Sequence, residues 1–597
     1  MKAIPRSTFI KQLGVGAAVG YGLFHSPIVA TAFGEDMLLE DEALMQRLVR
    51  ANDEHVHQLL TLGDRANRHG GRSLGYNFAK MAAAYTHPDS RFRADKAIVA
   101  KLTEITAALV AVQRPDGTIN AGNLESPPDT AFIMEPLCAG VYILQRSNAK
   151  ELQPVKSGIR EFILKVAESL RTGGVHTPNH RWEICAALVW INALYPNKGL
   201  VDRIDDWLGE GIYIDADGHY PERSMNYADV ENRAFLTIGR LLERPALYEP
   251  VIKNLTATYY YMEPNGDLVT VDSRRQDQYS SRRITMQYLH YRYLAITQGS
   301  GFFAAVALRI AQLPDFEDDI VNEALFQFMA NPTLSRQLPT PDYPPLVFDK
   351  VFPTSSLVRI RRDDMSATIF GGVDWPLIIA SGRSVSPNFF SYRKGRAILK
   401  YVRMSSRFFS MGHFRSEGMT VEGNTYVLHK KQEAYYFQPL AVSERNASGD
   451  YQLTPSTDDR FWSKMAFDKR TVSNVKTLDS TVRVTNVGQA MALEVSILGQ
   501  EGVAVTIELC FEHGGQLRGV EKALRGGGEH DYFLANGQGV YTLGDDRITF
   551  GPGQKDHEWI RGLDGEKYSV HFGGLPSEGQ RVFITGYTPF TYTLSFA

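Results

Sequence analysis

The spacing of apolar residues changes period once along this chain, and that change limits the fold more than any other feature. From about residue 35 to residue 314 apolar positions recur at helical spacing. Ile159, Phe162, Ile163, Val166 and Leu170 form one stripe, with Lys and Glu on the opposite face. Similar stripes run over 44–62, 97–112, 131–145, 234–242 and 284–296. A proline-punctuated connector follows, with Pro332, Pro339, Pro341, Pro344 and Pro345. Beyond Phe348 the period is two, as in 481–487, 581–586 and 590–596, and turn signals separate the runs. At 597 residues the chain is too long for one ordinary core. The expectation is an α+β multidomain chain: helices over 35–330, a linker over 331–347 and an antiparallel β-sandwich over 348–597.

Residues 1–32 read as a targeting segment. Lys2, Arg6 and Lys11 precede an apolar, Gly/Ala-rich stretch from Leu13 that ends at Ala30-Thr31-Ala32. A basic region, a short apolar region and an Ala-x-Ala site make a secretory signal. The run Arg6 to Lys11 is similar to a twin-arginine signal, with Pro5 in place of the first arginine, so either export route fits. No later stretch is apolar enough to span a bilayer. The expected product is periplasmic or secreted.

The formal charge is −3 and charged residues make up 22%, so no basic field argues for nucleic acid. Cys138, Cys185 and Cys510 are odd in number and lack metal-ligand spacing, which reads as three structural thiols.

Three segments concentrate polar chemistry. In the first, Thr177 suits an N-cap and Pro178 the first helical position, which puts Asn179 and His180 in the opening turn. Free backbone N–H groups and the positive dipole end favour an anion there. Glu183 follows His180 by three residues and can orient its imidazole. From Ile184 onward the helix is almost wholly apolar, as an inner helix would be. The second segment, 213–227, reads as a loop crowded with Asp217, Gly218, Tyr220, Glu222 and Tyr227. The third, 262–277, adds the paired guanidiniums of Arg274 and Arg275.

Together these segments resemble the helical domain of the heparinase II/III-like polysaccharide lyases. That family places an Asn-His pair at the head of an inner helix, then a Tyr beyond an Asp-Gly-aromatic loop, then a β-domain histidine. Asn179, His180 and Tyr227 match the helical part, and Glu183 matches the acidic residue one turn after the histidine. The resemblance implies an incomplete (α/α) toroid ahead of the β-sandwich, and an acidic polysaccharide or oligosaccharide as partner. His413 is the choice for the β-domain histidine and His429 the reserve. The family often reads Gly-His-x-His-x-Asp at this point and holds a metal there. In this chain Phe414 and Arg415 follow His413, so the local motif does not support a metal, and no cofactor is required.

A uronate lyase removes the C5 proton beside a carboxylate and expels the O4 substituent, leaving a C4–C5 double bond. Donors or cations must meet the developing enolate charge. The resemblance gives that task to Asn179 and His180, with Arg274 or Arg275 assisting. Tyr227 takes the C5 proton when neighbouring cations favour its phenolate, and then protonates the leaving oxygen. For the epimeric sugar acid, His413 would be the base and Tyr227 the acid. Asn123, Tyr220, Glu183 and His429 complete the expected substrate-binding set, with Asp129 in the Asn123 loop able to bond sugar hydroxyls or to cap a turn. Two other readings fit the same residues. One is a toroidal glycoside hydrolase using Asp217 and Glu222 as acid and base. The other is a glycan-binding protein without turnover.

Overall fold

The structure is a computed structural model that describes residues 41–62, 71–122, 124–372, 386–456, 461–524, 527–560 and 578–597. The expected leader, 1–32, and Asn123 lie outside the described residues. Asp41–Ala597 form one compact unit. No helix among the described residues is long and apolar enough to cross a membrane.

The helical half comprises α1 (Glu42–Leu62), α2 (Gly71–Thr86), α3 (Lys96–Val112), α4 (Pro127–Gln145), α5 (Gln153–Thr172) and α6 (Pro178–Leu194). It continues with α7 (Lys198–Gly209), α8 (Met225–Leu241), α9 (Tyr248–Tyr261), α10 (Tyr288–Gln298), α11 (Gly301–Ile310) and the short α12 (Leu325–Ala330). Helices α2, α4, α6 and α8 pack successively on one another as an inner row. Their sequences show why: α4 and α6 bury residues on every side, whereas α5 buries one face, the stripe of Val155, Ile159, Phe162, Ile163, Val166 and Leu170 with Ala167 and Ser169 beside it. Close approach of α2 to α4 depends on Gly140, since a Cβ there would stand 2.9 Å from Ala79 Cα. The result is an incomplete (α/α) toroid whose inner helices run in the same direction.

The stretch 213–227 is not wholly a loop. Ser224 caps α8 by accepting from the Tyr227 N–H at 3.2 Å, so Tyr227 sits in a helical first turn. The capping Ser lies ahead of the apolar stripe, which is why periodicity alone started this helix at 234.

Two antiparallel-rich sheets make the sandwich. The nine-stranded sheet contains Val347–Phe352, Leu357–Arg362, Met365–Phe370, Phe390–Lys394, Ala397–Ser406, Ala504–Phe511 and Gln580–Tyr587 in spatial order, then two short edge strands. The eight-stranded sheet centres on Thr425–Phe437, Val472–Val487, Ala490–Gly499 and Phe590–Phe596. Alternation is clear in Phe590–Phe596, where every second residue is buried. Inward residues such as Val482, Leu493, Ile507 and Leu594 form the core between the sheets.

The two halves are joined by buried polar contacts. Arg359 donates to the Tyr260 carbonyl at 3.1 Å and pairs with Glu263 at 3.0 Å. Burial alone would raise the Glu263 carboxyl, but Arg359 and Arg393 hold it down to about 2. Asp217 accepts from the Thr354 and Ser355 N–H groups at 2.7 and 3.1 Å. Cys138, Cys185 and Cys510 are free and buried.

Candidate active site

The opening turns of α2, α4, α6 and α8 meet at one cleft of about 480 Å³. Arg72 and Tyr76 come from α2, Asp129 and Phe132 from α4, and Thr177 and His180 from α6, with His176 just ahead of it. Asn226, Tyr227, Asp229 and Arg233 come from α8, and Arg275 and Gln276 from the loop after α9. Four helix N-termini aimed at one space favour an anionic occupant through their aligned dipoles, with Ser126 and Ser224 each already taking one N–H of α4 and α8.

Tyr227 is held by two donors. Gln276 Nε2 reaches its hydroxyl at 2.8 Å and Arg275 Nη2 at 3.3 Å, with the guanidinium 4.3 Å from the phenol ring centroid. Two N–H groups converging on one oxygen suit an oxygen that carries negative charge. The other arm of Arg275 pairs with Glu222, and Glu222 also accepts from Asn179 Nδ2 at 2.7 Å. A continuous relay therefore runs from Asn179 through Glu222 and Arg275 to Tyr227.

His180 lines the cleft beside His176, ring centroids 4.7 Å apart, and edge-on to Phe132. Burial first, then the neighbouring His176, pulls its pKa down to about 4. It is therefore a neutral imidazole near pH 7 and offers one N–H donor, with no positive charge. Arg72 lies 4.4 Å from the Phe132 ring centroid and pairs with Asp129 at 3.3 Å. Asp129 also closes the α4 cap, exchanging hydrogen bonds with Ser126.

Several expectations require correction. Asn179 is fully buried and does not line the cleft; its NH₂ group donates to Glu222 at 2.7 Å and to the Thr177 hydroxyl at 3.4 Å. Glu183 is fully buried as well and does not orient His180. It accepts from Arg233 at 2.9 Å, because α8 brings that guanidinium to the buried face of α6. Tyr220 is a core residue whose hydroxyl donates to Asn232 at 3.0 Å, and burial drives its pKa upward. Arg274 does not line the cleft; its Nη1 donates to the Pro221 carbonyl at 2.6 Å and its N–H to the Glu222 carbonyl at 3.0 Å. That strap fixes the backbone carrying Glu222. His429 lies on the outer surface of the eight-stranded sheet, half exposed and 2.9 Å from Asp479. His413 is buried on the nine-stranded sheet, bridged to Ser405 and close enough to Glu508 to help hold that carboxyl down, and it does not line this cleft.

The carboxylates of the hydrolase reading are committed elsewhere. Asp217 accepts backbone N–H groups at the junction of the two halves, and Glu222 is held by Asn179 and Arg275. Neither is left as a general acid opposite the other. Among the described residues no group of three or more His, Cys, Asp or Glu could hold a metal ion. Arg415 stands where the second histidine would be, and Phe414 before it packs edge-on against Phe389 in the sandwich core.

Sequence reasoning missed Gln276, Arg72 and His176. Gln276 and His176 flank residues that were singled out, but an uncharged amide and a loop histidine carry no spacing signal. Arg72 comes from a helix about a hundred residues earlier, whose all-round burial leaves no stripe to mark it.

No family model and no curated protein sequence matches the chain. Among solved structures it is similar to heparinase III, with a TM-score of 0.52 and 13% identity over 88% of this chain and 76% of that one. It is also similar to the Streptomyces coelicolor A3 chondroitin AC lyase in complex with chondroitin sulphate. There the TM-score is 0.51 and identity 11%, over 94% of this chain and 80% of the other. The toroid-plus-sandwich fold is the heparinase II/III-like polysaccharide lyase fold.

Proposed function

We propose that this chain is a polysaccharide lyase that cleaves a uronic-acid-containing glycan by β-elimination. The observation that carries the reading is the Tyr227 hydroxyl, held by Arg275 and Gln276 in a cleft rimmed by four helix N-termini. In the first step the Tyr227 phenolate takes the C5 proton, and the electron pair moves toward the sugar carboxylate. The N–H of neutral His180, the backbone N–H groups of the α6 opening turn and the Arg275 guanidinium meet that developing charge. In the second step the C4–O4 bond breaks, the C4–C5 double bond forms and the Tyr227 proton passes to the leaving oxygen. One phenol thus returns to its starting state with no net proton change.

A single base and acid on one side of the sugar supports syn elimination, since His413 does not line the cleft. Asn179 is a positioning residue that acts through Glu222 on Arg275. The basic, apolar and Ala30-to-Ala32 leader supports export to the periplasm or exterior, where such polymers are met.

The test is Tyr227→Phe measured against a panel of uronate polymers by absorbance of the unsaturated product. The variant should bind oligosaccharide and form no product. Wild-type rates in Tyr227→Phe would remove the tyrosine from the chemistry, and saturated products from the wild-type protein would replace elimination with hydrolysis.

A further inference from the structure

Helix α8 carries two arginines seven residues apart, on one face, and the fold treats them in opposite ways. Arg233 is surrounded by Glu135, Glu183 and Asp229. Arg240 has no hydrogen bond and no ion pair among the described residues. Its guanidinium stacks on Trp190, Cζ 5.2 Å from the ring centroid, and desolvation lowers its pKa. The nearby carboxylate of Glu135 is already engaged by Arg233 and Thr237. Arg240 is half-buried, so its guanidinium is stacked on one face and keeps N–H donors within reach of an incoming partner.

Arg240 lines a cavity of about 120 Å³ inside the row of helices, beneath the cleft, and Tyr76, Phe132 and Arg233 belong to the walls of both. One enclosed water needs about 10–15 Å³ of such space, so the cavity holds roughly eight to twelve water-sized groups, about the bulk of a single sugar ring. Its walls pair flat apolar surface from Trp190 and Leu289 with the Tyr293 hydroxyl and the Gln327 and Asn331 amides. That lining suits a polar ring with one negative charge.

We infer that this cavity is a second anion site, next to the Tyr227 cleft, which takes one carboxylate on a hexuronate-sized ring with Arg240 as its counter-ion. The site stands apart from the lyase reading, because no step of the elimination uses Arg240.

The test is calorimetric titration of the full chain with D-glucuronate, with D-glucose as the neutral control. Four proteins are compared: wild type, Arg240→Gln, Arg240→Lys and Arg275→Gln. Wild type should bind glucuronate saturably and glucose not at all, and Arg275→Gln should keep the part of that binding that Arg240 provides, whatever it loses in the cleft. Arg240→Gln should weaken this binding by about tenfold or more, the loss of one charge-assisted pair. Arg240→Lys keeps the charge without the planar fork and should bind with intermediate affinity, which decides the matter if the glutamine variant does not fold. The inference is overturned if wild type shows no saturable binding. It is also overturned if binding is lost in Arg275→Gln and unchanged in both Arg240 variants, which would put the anion in the cleft.

Discussion

The side-chain amide of Asn179 donates to the Glu222 carboxylate at 2.7 Å, joining the first turn of α6 to the loop ahead of α8. Both residues are buried, and the other oxygen of Glu222 pairs with Arg275. Positioning of the cleft-facing guanidinium thus depends on an amide that does not itself reach the cleft. Asn179→Ala should cost about 1.5–3 kcal/mol of stability, the range for a hydrogen bond to a charged group. It should also lower kcat more than it raises KM, since binding determinants on the other helices stay in place. Urea unfolding and steady-state product absorbance measure the two effects. An unchanged kcat would remove Asn179 from the relay.

Arg275→Lys keeps a positive charge but cannot bridge Glu222 and Tyr227 with one planar fork. Removal of a preorganised donor at developing charge costs roughly 10²-fold or more in kcat. The expected result is a loss of that order with oligosaccharide affinity nearly retained, read from single-turnover rates and equilibrium titration. Gln276→Leu removes the second donor to Tyr227 and should produce a smaller loss in the same direction.

His180 gives a pH dependence with a defined sign. Its folded pKa of about 4 lies below the ordinary value of 6.5, mainly through burial and then through His176. The unfolded chain therefore binds this proton before the folded one as acid is added. Stability from the neutral imidazole is complete above pH 6.5 and is lost as the pH falls toward 4. NMR titration should show the His180 ring unprotonated at pH 5.5, and His180→Gln should flatten the stability profile between those limits. A midpoint near 6.5 would contradict the buried environment.

Arg233 holds together carboxylates from three helices: Glu135 on α4, Glu183 on α6 and Asp229 on α8. Arg233→Met would leave buried carboxylates without a counter-ion. Breaking a buried ion pair from one side typically costs about 3–5 kcal/mol. Urea unfolding should show a loss of that size, and Glu183→Gln, which keeps the guanidinium and two carboxylates, should show less.

Much of this protein is decided by local sequence. The shift from helical to alternating period around the proline connector fixes a helical half and a sandwich half, because burial of one face needs that spacing whatever the neighbours are. Thr177-Pro178 starts α6 for equally local reasons: Thr177 takes the extended backbone of an N-cap, without a side-chain cap hydrogen bond, and Pro178 takes the first helical position. Which polar groups meet is a different matter. Glu183 lies one turn from His180 in sequence, yet it turns to Arg233, fifty residues onward, because charge pairing across packed helices outweighs a neutral imidazole nearby. Tyr220 and Tyr227 both come from the stretch 213–227 and both are expected at the cleft from sequence, but α8, capped by Ser224, carries Tyr227 beside Arg275 while Tyr220 packs on Asn232. His413 and His429 share a short stretch, yet a bridge to Ser405 buries the first against the nine-stranded sheet while the second lies on the exposed face of the eight-stranded one. Spacing specifies which face of an element is buried; only the packing of elements distant in sequence specifies what that face touches.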